Sequence, residues 1–184
     1  MKIKSIVLGD RAVGKTTFVQ HLNGRFYSAR YTPTIGVDFT EYSKSGTILQ
    51  IWDTSGSTKY REVTRTFMRN TDLCIVMYRD KRSLGSIQSY IDSIRILSTE
   101  ARIVIVSNAN DLDVEVEGQM IASRNSFAYF FACNSLDRVQ ALQTWHEIIE
   151  LCNLEIEGNG WLEHKKNEDD KIVNITRQRY CWWF

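Results

Sequence analysis

A mostly parallel α/β sheet with one antiparallel edge strand and helices on both faces is the fold this chain predicts. Three observations carry it. Short β-branched runs alternate with amphipathic helical stretches, the mark of successive strand–helix units. Two of the six runs are separated only by Ser45-Gly46, a hairpin turn that sets one strand antiparallel to the rest. The first run leads straight into a glycine loop and then a helix.

Taken in order, the first strand is expected over 3–8, Ile3-Lys4-Ser5-Ile6-Val7-Leu8. Next comes Gly9-Asp10-Arg11-Ala12-Val13-Gly14-Lys15-Thr16-Thr17, which holds the phosphate-loop pattern G-x-x-x-x-G-K-[ST]. Residues 18–22 continue as helix. Residues 24–36 hold the chain's only proline, Pro33, and form a connection long enough to point to function. Alternating runs over 37–44 and 47–52 make the hairpin. Residues 57–70 are polar with some helical content, and 72–78 is a strand. Leu84, Ile87, Ile91, Ile94 and Leu97 recur at helical spacing, so a helix is expected over 83–97 with Ser83 as its cap. A strand over 101–106, a helix over 114–124 and a strand over 127–133 follow. Val139, Leu142, Trp145, Ile149 and Cys152 mark a closing helix over 137–152. Residues 1–152 thus read as one domain and 153–184 as a variable tail.

Bulk properties exclude several classes. With 184 residues, 43% hydrophobic, the chain suits one globular domain plus a tail. A net charge of +1 offers no field for nucleic acid, which is not an expected partner. Cys74, Cys133, Cys152 and Cys181 show no zinc or disulfide spacing, which fits a reduced cytoplasmic setting. No apolar stretch is long enough to span a bilayer.

The chemistry starts from the phosphate loop. Glycines let backbone N–H groups point inward, and the following helix start adds partial positive charge. Lys15 places a cation between the outer phosphates, and the Thr16 hydroxyl suits Mg²⁺. Thr34, on the long loop, is placed to offer a second hydroxyl to the metal. Asp53 closes a strand and is suited to hold the metal directly or through water, while the Gly56 N–H suits a γ-phosphate. Asn108-Ala109-Asn110-Asp111 follows a strand end, where such sheets bind ligands. A carboxylate there accepts from both N1–H and the exocyclic amine of guanine, a pair that adenine lacks.

On these residues the chain resembles a small GTPase of the Ras superfamily, most of all its Rab branch. Gly9–Thr16 matches the first nucleotide motif, and Thr34 the switch I threonine. Ile35-Gly36-Val37-Asp38-Phe39 matches the Rab switch I signature without a change. Leu49-Gln50-Ile51-Trp52-Asp53-Thr54, then Ser55-Gly56, resembles the Rab entry to switch II, with Tyr60-Arg61 beyond it. Asn108 and Asp111 match two of three base-reading positions, and Ala132-Cys133-Asn134 stands at the last, weak motif. The resemblance covers about residues 2–152. It implies a P-loop G domain that binds GTP or GDP with Mg²⁺ and works as a switch in membrane traffic. The nucleotide would touch Gly9, Asp10, Arg11, Ala12, Val13, Gly14, Lys15, Thr16, Thr17, Tyr27, Thr34, Asp53, Gly56, Asn108, Asp111, Ala132 and Cys133. The metal would sit on Thr16, Thr34 and Asp53. Phe39, Trp52 and Phe67 would face effectors or, equally, be ordinary hairpin packing. An exchange factor, a GTPase-activating protein and effectors are the implied partners.

The departures bear on mechanism. Where the family orients its water with glutamine, this chain has Ser57, then Thr58. Serine is too short for that task, so slow intrinsic hydrolysis is expected. Arg11 replaces a small residue. It is either a solvated surface cation or a charge that leans over the γ-phosphate in cis. Ala109 stands where a lysine stem covers the purine, a loss of about 1–3 kcal/mol of contact. Asn134 replaces a second lysine, and Tyr27 either packs its own loop or stacks beside the base.

The chain ends Cys181-Trp182-Trp183-Phe184. A cysteine fourth from the end is a prenylation pattern, and a final Phe leans geranylgeranyl. Two tryptophans are unlike the usual aliphatic pair, and the tail has five basic against six acidic residues, so a polybasic second signal is weak. The alternative is a tail that folds back through its aromatics. Two other functions stay open: a degenerate GTPase that holds nucleotide as a non-hydrolysing interaction module, and an ATP-using phosphotransferase, against which Asp111 and the switch I match argue.

Overall fold

A computed structural model describes residues 1–24, 32–44, 46–125 and 128–157, with side chains to 153. The chain forms two compact units, Met1–Trp145 and His146–Phe184. In the first unit the elements run β1 (Lys2–Leu8), α1 (Lys15–Gln20), β2 (Val37–Lys44), β3 (Thr47–Thr54), α2 (Arg61–Phe67), β4 (Leu73–Tyr78), α3 (Lys81–Leu84), α4 (Ile87–Leu97), β5 (Arg102–Ser107), α5 (Leu112–Arg124) and β6 (Ala128–Ala132). The last element, α6 (Arg138–Glu157), begins in this unit. In the second unit, residues 146–157 are described and all are helical.

The six strands make one sheet in the order β2-β3-β1-β4-β5-β6. Every pairing is parallel except β2 with β3. That exception is the expected hairpin, and Gly46 at its turn takes φ 78°, a conformation that favours glycine. Strands β4 and β5 carry near-continuous buried apolar runs because helices cover both faces, while β3 alternates buried and half-buried residues. On one face Ile6, Leu8, Val76 and Ile103 pack with Ile87, Ile91 and Ile94 of α4 and Val114 of α5. Side chains alternate along β1, so Val7 turns to the other face. There Phe18 of α1 stacks on Trp145 with ring centroids 4.6 Å apart, and the Trp145 indole N–H donates to Phe18 O at 2.9 Å.

Several local expectations need correction. The helix expected over 83–97 is two helices. Asp80, not Ser83, caps the first, since its carboxylate accepts from Ser83 N at 2.8 Å while the Ser83 hydroxyl turns back to Asp80 N. Gly85 ends that turn before α4 starts. The first helix stops at Gln20, and His21–Asn23 tightens into a 3₁₀ turn. Helix α5 begins at Leu112 because Asp111 caps it, accepting from Asp113 N at 3.0 Å. Helix α6 runs to Glu157, beyond the expected end at 152, for the first helix-breaking residue after Trp145 is Gly158. No described helix is long and apolar enough to cross a membrane.

Candidate nucleotide site

Strands β1, β3, β4 and β5 end on the same edge of the sheet, and the candidate residues stand in the loops above those ends. The phosphate loop follows β1. Gly9, Ala12 and Gly14 take φ of 139°, 60° and 101°, and such turns aim successive N–H groups into one concavity. Two of these glycines are also forced by space. A Cβ on Gly9 would lie 2.2 Å from Met77 O, and one on Gly14 would lie 2.5 Å from Ser135 Oγ.

Lys15 is buried, and its ammonium donates to Gly9 O at 2.8 Å and Asp10 O at 2.7 Å. Burial pulls its pKa down to about 8, against the pull of Asp53 and Asp10. The cation is thus held in a place that disfavours its charge, which an anion there would relieve.

Thr16, Thr34 and Asp53 come together from α1, the long loop and β3. Thr16 Oγ1 donates to Asp53 Oδ2 at 2.5 Å and lies 2.9 Å from Thr34 Oγ1. The second carboxylate oxygen, Asp53 Oδ1, is buried with no hydrogen-bond partner among the described residues. Burial pushes the Asp53 carboxyl up to about 6, against the Thr16 hydrogen bond and Lys15. An unpartnered oxygen in a set of oxygen donors fits a hard divalent cation. Among the described residues no three His, Cys, Asp or Glu cluster to cage a metal. Mg²⁺ needs no such cage: it takes few protein ligands and completes its shell with phosphates and water.

The entries to the two switch loops touch. Ser55 N donates to Gly36 O at 2.8 Å. Gly56 lies against the phosphate loop so closely that a Cβ would sit 2.3 Å from Asp10 C. Ser57 faces its own turn, where its Oγ accepts from Lys59 N at 3.4 Å and caps a 3₁₀ helix. Arg11 is exposed and lines a groove with Arg79 and Lys81.

At the base end, the Asn108 amide donates to Val13 O at 2.9 Å and accepts from Ser135 N at 2.8 Å. One side chain therefore ties the phosphate loop to the loop after β6. Asp111 is exposed, with Oδ1 engaged as the α5 cap. Cys133 is buried and its N–H bonds Ser107 O at 2.8 Å, with Ala132 half-buried before it. Thr17 is half-buried on α1. Tyr27 and Cys181 lie outside the described residues.

Phe39, Trp52 and Phe67 form one aromatic run. Phe39 and Trp52 are cross-strand partners with rings 4.7 Å apart, and Phe67 of α2 stands 4.8 Å from Trp52. Phe39 is 46% exposed.

Sequence reasoning missed two supports. The Asp10 carboxylate turns from the cleft to α4, where it accepts from Ser86 Oγ at 2.9 Å and Tyr90 OH at 3.0 Å. Buried His21 holds Ser135 O at 2.9 Å through Nε2. Both link positions far apart in the chain, so no local pattern announces them.

Known proteins similar to this chain include several Ras-related proteins. Ras-related protein Rab-3C of Bos taurus is 28% identical over 160 residues, covering 80% of this chain and 70% of that protein. Ras-related protein Rab-3B of Homo sapiens is 27% identical over 159 residues, covering 80% and 72%. The EF-hand calcium-binding domain-containing protein 4B of Homo sapiens is 32% identical over 149 residues, 72% of this chain but 20% of that protein. The Ras family model matches residues 4–153, and the chain therefore belongs to the Ras family.

Proposed function

We propose that this chain is a Rab-like switch of membrane traffic that binds Mg²⁺ and guanine nucleotide in the cleft above β1, β3 and β5 and hydrolyses GTP slowly. Ras family membership carries guanine-nucleotide binding and GTPase chemistry in general. The observation that carries the finer reading is the meeting of Thr16, Thr34 and Asp53 around an unpartnered carboxylate oxygen. When bound there, the metal neutralises charge on the β- and γ-phosphates.

The rest falls to the chain's own groups. Inward amides of residues 9–16 and the Lys15 ammonium bind phosphate. Asp111 selects guanine by accepting from its edge. Thr34 and Gly56 sense the terminal phosphate, and the Ser55–Gly36 hydrogen bond couples their loops. The Phe39–Trp52–Phe67 surface supplies the apolar anchor for an effector, with an exchange factor and an activating protein as further partners. Ser57 leaves the attacking water unoriented. Prenylation at Cys181 completes the reading at a cytoplasmic membrane face and is checked by mass spectrometry of protein from eukaryotic cells.

The test is the nucleotide content of the purified protein, then single-turnover hydrolysis with GTP and ATP. Bound GDP or GTP, slow GTP turnover and no ATP turnover are expected. Ser57→Gln is expected to speed GTP turnover by about a hundredfold, the low end of what a positioned catalytic group contributes. A rate in the wild type already equal to that of Ser57→Gln refutes the slow-hydrolysis reading. A second reading, a nucleotide-holding interaction module, is favoured by the Ser57 side chain serving as a helix cap. GTP bound with no turnover over days selects it. Arg11→Ser decides the role of Arg11: a fall in hydrolysis assigns it a charge in cis, and no change leaves it a surface cation.

A further inference from the structure

Beside the base-reading acid runs a groove of about 510 Å³. Arg11 of the phosphate loop, Arg79, Asp80 and Lys81 after β4, and Asn110 and Asp111 before α5 line it. Strand register explains why these meet. Tyr78 pairs with Ser107, and Asn108 N donates to Tyr78 O at 2.8 Å. Arg79 therefore leaves β4 at the level where the base-reading segment leaves β5.

The charged groups of this groove are not equivalent. Lys81 lies 3.9 Å from Glu117. Asp80 accepts from the Ser83 N–H and hydroxyl as a helix cap. The Arg79 backbone is pinned too, its N–H donating to Ser83 Oγ at 3.0 Å. Its exposed guanidinium, by contrast, makes no hydrogen bond among the described residues and meets only the field of the adjacent Asp80 carboxylate. Ala109, the residue between Asn108 and the acid's neighbour, is short and packs down on the core. The wall above Asp111 thus has a fixed stem root and an uncommitted planar cation.

We propose that Arg79 is a nucleotide-binding residue, its guanidinium covering the face of the guanine whose edge Asp111 reads. This rests on the guanine-nucleotide reading above. A carboxylate engages only the edge of a purine, so a face is left for another group. A flat, delocalised and weakly hydrated cation is well suited to an aromatic face. The chain then supplies from β4 a contact that a longer side chain at 109 would supply from β5. That gives the replacement at Ala109 a physical account: the two positions serve one face, and one of them suffices.

The test is equilibrium titration of the full chain with a fluorescent guanosine diphosphate in Mg²⁺. Arg79→Ala is expected to weaken binding about tenfold with an unchanged melting temperature. Arg82→Ala, which removes a neighbouring exposed cation outside the groove, is expected to change it less than about twofold, as befits a solvated charge. Adding Ala109→Lys to Arg79→Ala is expected to recover most of the loss, while Ala109→Lys alone adds little. Unchanged affinity in Arg79→Ala overturns the proposal, as does an equal loss in Arg82→Ala or no recovery in the double variant. Should Arg79→Ala unfold, Arg79→Gln carries the same test. No saturable uptake by the wild type strikes the underlying nucleotide reading instead, and so is told apart from a failure of Arg79 alone.

Discussion

At the phosphate end of the cleft, Lys15 and Asp53 are 5% and 3% exposed and sit in bonds from three elements. At the base end, Asp111 and Asn134 are exposed, and each bonds a backbone N–H only two residues on. The first region is continuous with buried strands, so removing a packing ring beneath it disturbs the sheet. The second stands on loop tops. Asp111 and Asn134 are not built into the core. Depth of burial thus separates the groups that the fold holds in place from those it leaves in solvent.

Four substitutions test this contrast. Lys15→Ala is expected to weaken guanine-nucleotide binding by about a thousandfold, the worth of two charge-assisted hydrogen bonds at roughly 2 kcal/mol each. Because burial disfavours the ammonium, the melting temperature should not fall, as calorimetry would show. Trp145→Ala removes the ring that stacks under Phe18 of α1. Urea denaturation should report a loss of about 3–5 kcal/mol. Asp111→Asn should weaken guanine-nucleotide binding by about a hundredfold, as for a lost hydrogen bond to a charged group. It should also shift preference toward xanthine nucleotide, read by competition titration. Asn is as good a helix cap as Asp, so stability should hold. The smallest effect is a gain. Asn134→Lys should tighten nucleotide binding about fivefold, the worth of one or two buried methylenes. A large stability loss in Asp111→Asn, or none in Trp145→Ala, would erase the distinction between the two ends.

Legibility in the sequence follows the same division of local from distant. The phosphate loop and the hairpin could be read because their signals are contiguous, glycines at Gly9 and Gly14 and a turn at Ser45-Gly46. Each partner in the Thr16–Thr34–Asp53 meeting was marked by its own motif, although only the folded chain shows the unpartnered Asp53 oxygen. The break at Gly85 was hidden by apolar periodicity that runs across both helices from Leu84 to Leu97. Asp80 and Ser83 are equally good capping types, so the local pattern does not choose between them. Asp111 is the α5 cap, and the base-reading expectation drew attention away from that role. The bonds of Asp10 to α4 and of His21 to Ser135 join residues 76, 80 and 114 positions apart. Nothing in a linear pattern encodes them.

Those two hydroxyls on Asp10 have a wider meaning. The opening residue of the cradle is moored to a helix whose own seat is the opposite packing layer. A substitution at the apolar stripe of that helix is expected to shift ligand affinity through Asp10, as titration would show. Residues that never meet the nucleotide thereby become part of its dissociation constant.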